Sequence, residues 1–120
     1  MNDKEYSQNC KRTLSLQYNA DAISPTVQHG IIGMATEAGE LLDAMKKTLF
    51  YGKPLDRTNI IEELGDIFWY AYIVMDEIGV TADEVKQRNI NKLRARYPDK
   101  FTTEAALCRD LDAERKVLEG

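Results

Sequence analysis

At 120 residues the chain is long enough for one domain with a core, yet short enough for a substrate cleft to need a second subunit to complete it. Hydrophobic residues at 43% and charged residues at 30% exclude an intrinsically disordered chain. The formal net charge of −4 argues against a general nucleic-acid binder but leaves nucleotides open, because a bound divalent cation inverts the sign of a local site. Cys10 and Cys108 lie at opposite ends without C-x-x-C spacing, which points to reduced thiols and away from zinc. The polar start from Met1 to Glu5 lacks the apolar stretch of a signal peptide, and no window approaches the roughly 18 apolar residues of a membrane span. A cytoplasmic protein is expected.

In chain order, Asp3 to about Arg12 suits a short helix, and Leu14 to Ser24 suits an irregular connection, because Pro25 disfavours a helical residue before it. A long helix is predicted from Pro25 or Thr26, with Ser24 as its N-cap, to about Phe50, stopped by Gly52 and Pro54. Its apolar stripe is Val27, Ile31, Met34, Ala38, Leu41, Leu42, Met45 and Leu49, and Glu37 and Glu40 stand on the shoulder of that stripe beside Gly30, Gly33 and Ala44. Two glycines there, each costing about 1 kcal/mol against alanine, point to a close approach by a ligand or a helix. Asp56 or Thr58 caps the next helix, which runs to Ile78 and ends at Gly79. It is apolar nearly all round, with a core stripe of Ile60, Leu64, Ile67, Phe68, Ala71, Val74, Met75 and Ile78. Glu63, Asp66 and Tyr70 flank that stripe, and Trp69, Tyr72 and Ile73 fill the other sides, so the helix is either central or part of a dimer interface. Thr81-Ala82-Asp83-Glu84 is a capping box for a helix ending at Tyr97-Pro98, on which Asn89, Lys92 and Arg96 share one face suited to phosphate. Thr103 to Leu118 reads as a peripheral helix or a dimer arm.

Glu37 with Glu40, and Glu63 with Asp66, are carboxylate pairs at i, i+3, roughly 60° apart on a helix, so each pair projects from one face. Packed antiparallel, the two helices point four carboxylates at one place. Oxygen ligands without soft donors specify magnesium or manganese. A di-iron bundle needs two Glu-x-x-His pairs, and His29 is the single histidine. His29 falls two turns before the acidic edge, in reach of a base or ribose. With no nucleophilic triad, phosphate loop or dinucleotide fingerprint, metal-assisted attack of water on a phosphate remains, with Lys47, Lys92 and Arg96 as the cations for the phosphate oxygens. The competing class is a non-catalytic, metal-stabilised helical interaction module.

The run Thr36-Glu37-Ala38-Gly39-Glu40-Leu41-Leu42-Asp43, then Glu62-Glu63-Leu64-Gly65-Asp66, then Asn89-Ile90-Asn91-Lys92-Leu93-Arg94-Ala95-Arg96-Tyr97-Pro98 resembles the MazG-like all-α nucleoside triphosphate pyrophosphohydrolases. The resemblance spans about His29 to Phe101. It implies a single all-α domain, a four-helix-type bundle with a peripheral C-terminal helix, forming a homodimer or a dimer of dimers. It also implies magnesium-dependent hydrolysis of nucleoside triphosphates, deoxynucleotides included, to monophosphate and pyrophosphate. Glu37, Glu40, Glu63 and Asp66 would then hold the metal, and Asn89, Lys92 and Arg96 the phosphates. Thr36 stands where many relatives carry a further glutamate.

Overall fold

The structure, a computed structural model, describes residues 1–120 and consists of helices alone. Each helix begins where a side chain accepts an otherwise unpaired backbone N–H of its first turn. Asn2 and Glu5 form a reciprocal capping box at the start of α1, Asp3–Arg12. After an irregular stretch with one short turn of 3₁₀ helix at Ala20–Ala22, Ser24 Oγ accepts from Val27 N at 3.2 Å and opens α2, Pro25–Tyr51. Gly52, at φ 67°, ends it in the left-handed region that glycine tolerates. Asp56 Oδ1 accepts from Asn59 N to start α3, Arg57–Ile78, and Gly79 at φ 74° closes it. Thr81 caps α4, Ala82–Arg96, by accepting from Glu84 N. The reciprocal half of the expected capping box is not made, because the Glu84 carboxylate pairs with Arg88 one turn on. The C-terminal segment is two helices, α5, Thr103–Leu107, and α6, Leu111–Glu119, the latter capped by Asp110. Cys10 and Cys108 are both free and exposed.

Helices α2 and α3 form an antiparallel hairpin, and α4 pairs with α6; no comparable packing joins the two pairs. The hairpin closes on the glycine side of α2. A methyl group added to Gly33 would overlap the Tyr70 ring, and one added to Gly30 would overlap Val74 and press on the Tyr70 carbonyl oxygen. The close approach anticipated at these glycines is therefore a helix contact. Gly33→Ala should lower stability by up to about 2 kcal/mol, since overpacking costs roughly 1–3 kcal/mol and the better helix propensity of alanine returns about 1. Thermal melting of the two proteins at equal concentration checks this; a raised midpoint would show that the Tyr70 ring moves aside freely.

The apolar stripes expected to be the core are covered only in part: Val27, Met34 and Leu41 on α2 and Ile60, Ile67, Val74 and Met75 on α3 are half-buried. Ile31, Leu42, Met45 and Leu49 are each half exposed or more, as are Phe68 and Ile78 on α3. The four buried residues of the chain are Gly30, Gly33, Glu63 and Glu114, none of them a large apolar side chain. The radius of gyration is 19.9 Å, against about 14 Å for a compact domain of this length. The accessible surface is 10098 Å², where a compact monomer of this mass shows roughly 6,600 Å².

The second pair is fastened by ions. Arg96 and Arg109 both grip Glu114, whose carboxyl is held far below the usual range, first by the Arg96 hydrogen bonds and then by those of Arg109. A depressed carboxyl stabilises the fold above its ordinary titration range and loses that contribution only as pH falls through the depressed value. Docking of α6 should thus persist through the pH range in which ordinary glutamates protonate. Arg88 Nη1 adds a hydrogen bond to the Leu118 carbonyl at 2.9 Å.

Candidate metal centre

Because α2 and α3 run antiparallel with Gly33 against Tyr70, the register brings Glu37 opposite the turn of α3 that carries Glu63 and Asp66. One carboxylate oxygen from each of these three lies within 4.8 Å of the others. Glu63 is buried, Glu37 half-buried and Asp66 exposed, so the cluster opens to solvent on one side. Asn59, one turn before Glu63 on α3, donates Nδ2–H to Glu63 Oε1 at 2.9 Å and fixes that carboxylate. No lysine or arginine forms an ion pair with any of the three.

Three acids without a counter-ion repel one another. The Glu37 carboxyl is accordingly pushed above its usual value, chiefly by a hydrogen bond shared with Glu63, then by burial and the charges of Glu63, Asp66 and Glu40. The donor set is all oxygen, and its spacing fits oxygens bound at roughly 2.0–2.6 Å around one hard cation, which magnesium, manganese or calcium would satisfy.

Glu40 stands outside this triad. It lines a polar cavity of about 470 Å³ beside it, between the last turns of α2 and the start of α3, with Asp43, Lys47, Lys53, Asp56 and Glu62. That volume suits a small ligand. Lys47 Nζ lies 2.7 Å from Asp43 Oδ2, which raises the lysine and lowers the aspartate, so Lys47 stays charged at the cavity wall. His29 is exposed at the other end of the hairpin, its ring centroid 5.5 Å from that of Tyr70 and 6.5 Å from that of Trp69. Asn89, Lys92 and Arg96 are on α4, away from the α2–α3 hairpin, and Arg96 is engaged by Glu114. Sequence reasoning passed over Asn59, Lys53 and Glu114. The i, i+4 spacing of Asn59 and Glu63 was a usable signal for the first; nothing local marks the other two.

The chain is all-α, and its central hairpin gathers Glu37, from the E-x-x-E pair, with Glu63 and Asp66, the E-x-x-D pair. Residues 26–101 match the family model of the MazG nucleotide pyrophosphohydrolase domain, and the chain is a member of that family. It is also similar to the Gene 37 protein of Mycobacterium phage L5, 35% identical over an alignment of 69 positions that covers 54% of this chain and 60% of that one. The chain thus spans less than two thirds of that relative's length. No solved structure matches it. No helix is long and apolar enough to cross a membrane.

Proposed function

We propose that this chain hydrolyses nucleoside triphosphates, deoxynucleotides among them, to the monophosphate and pyrophosphate with magnesium, keeping the cytoplasmic nucleotide pool in order. The observation that carries the reading is the convergence of Glu37, Glu63 and Asp66, without any paired cation, in the hairpin of a MazG-family domain. A divalent cation bound there supplies charge neutralisation at the phosphates and acidifies water. Glu37, Glu63 and Asp66 hold it, and Asn59 keeps Glu63 aimed. Glu40, on the next turn of α2, either closes the metal's ligand set or takes the proton from the attacking water. Measured metal affinity separates the two roles, falling in Glu40→Gln only if Glu40 is a ligand. Lys47 contributes positive charge from the cavity wall, His29 meets the base or ribose, and Asn89, Lys92 and Arg96 bind the outer phosphates.

Those last residues reach the triad only if α4 approaches the hairpin, and a second copy of the chain supplies that approach. The surface in excess of a compact monomer, roughly 3,500 Å² per chain, is ample for an obligate interface, which buries about 2,000–5,000 Å² in total. The functional unit is then a homodimer or a dimer of dimers.

Incubating the protein with a panel of nucleoside triphosphates and magnesium should yield monophosphate and pyrophosphate as the first products. Orthophosphate as the first product, with the diphosphate left behind, would place attack at the γ-phosphorus and reject the assignment. Metal-dependent stabilisation without any hydrolysis would favour the non-catalytic interaction module.

Metal uptake should also depend on pH with a definite sign. The native apoprotein holds a proton on Glu37 above the ordinary glutamate value, so apo stability should fall as pH rises from that value through the raised one. A cation binds the deprotonated form, and its affinity should rise over the same window with release of protons. Calorimetric titration with magnesium or manganese in buffers of different ionisation enthalpy measures both. Affinity independent of pH would show that Glu37 is not a ligand.

A further inference from the structure

Arg96 is fastened to Glu114 by one edge only. Its Nε–H and one Nη2–H donate to Glu114 Oε1 and Oε2 at 2.8 and 2.9 Å, the Tyr97 side chain stands beside the guanidinium and helps hold its charge, and Nη1 makes no hydrogen bond to Glu114. From the other side, Arg109 donates Nε–H and Nη2–H to the same two oxygens at 3.3 and 2.6 Å. The Glu114 side chain is 5% exposed, that of Arg96 15% and that of Arg109 41%. Both carboxylate oxygens are thus doubly satisfied beneath the surface, and the Arg96 guanidinium plane is fixed in direction. Asp110, a second acid lining the small cavity around them, caps α6 and balances the charge of the second arginine. An arginine held in this way loses less conformational freedom when it grips an anion than a free one does.

We propose that Glu114, contributed by α6, is a positioning residue that holds Arg96 by its Nε edge and presents the Nη1 edge to the polyphosphate of the bound nucleotide. This rests on the reading of α4 as the phosphate-binding helix. The C-terminal pair of helices is thereby part of the site and not an appendage to it.

Glu114→Gln keeps the shape and removes the charge. With the best nucleotide of the panel it should raise KM by about tenfold and leave kcat within about twofold, the pattern of lost binding shared by ground and transition states. Arg96→Ala should raise KM at least as much, and the double variant should be no worse than Arg96→Ala alone, because the two residues act as one unit. Additive effects, or a Glu114→Gln protein with unchanged KM beside an impaired Arg96→Ala, would overturn the proposal and leave the proposed activity standing. A wild-type protein that hydrolyses no nucleotide would overturn both. A measurement on the unaltered protein covers the case in which the variants do not fold. On titration with inorganic pyrophosphate and magnesium, the Arg96 Nη resonances should shift while its Nε–H signal stays in place. Displacement of the Nε–H signal would mean that phosphate and Glu114 compete for one edge, and the positioning role would fall.

Discussion

Replacing Glu63 by glutamine should lower turnover by well over the roughly 10 to 100-fold that accompanies loss of a group supporting a metal ligand. The side chain is buried, and Asn59 already occupies Oε1. An amide in the same place keeps its oxygen toward the Asn59 donor and turns its NH₂ toward the cluster, so a ligating oxygen is exchanged for hydrogen-bond donors. The same change removes the group that contributes most to holding the Glu37 proton. The variant without metal should therefore melt at or above the wild-type temperature, while magnesium no longer raises its midpoint. Steady-state hydrolysis over a range of magnesium concentrations, with melting curves in EDTA, reads both effects. Full activity in Glu63→Gln would remove the triad from the chemistry.

The second large effect concerns assembly. Ile61, Leu64, Phe68 and Tyr72 form an exposed stripe along α3, all at least 44% accessible, and Ile31, Leu42, Met45 and Leu49 form another along α2. Light scattering at micromolar concentration should give a multiple of 13.7 kDa. Ile61→Asp should dissociate the assembly and melt the chain with it. Burial of one such side chain contributes about 1.5–3 kcal/mol, a symmetric interface loses it twice, and the separated chain has no buried apolar side chain to fall back on. A mass of 13.7 kDa for the wild type, or an Ile61→Asp protein that stays assembled, would reject this.

Helix boundaries were legible because they are written locally. Ser24 before Pro25, Asp56, Gly52, Gly79 and Thr81 act within one turn of where they stand. The carboxylate pairs were legible for a similar reason, as helical geometry alone puts Glu63 and Asp66 on one face. Glu40 was placed with Glu37 by that same argument, yet it lines the neighbouring cavity, because spacing along one helix does not say which member of a pair meets the facing helix. The face of α2 that meets α3 was read only in part. Periodicity counts apolar side chains and cannot say whether they are covered by the same chain or another, and here the large Tyr70 fits against the smaller side of α2. The match of Glu114 to Arg96 was invisible, since it depends on the chain reversing between Tyr97 and Leu111 and on the break between α5 and α6.

The division into two helix pairs also bears on how the protein comes to exist in a cell. Contacts within each pair join stretches close in sequence, α2 with α3 and α4 with α6, and such local contacts form quickly. Little apolar surface is covered by that step, so in the proposed assembly the driving force arrives only with an encounter between chains. Acquisition of the native state then follows second-order kinetics, slowing on dilution, and a newly made chain waits with its apolar stripes uncovered until another of its kind is at hand.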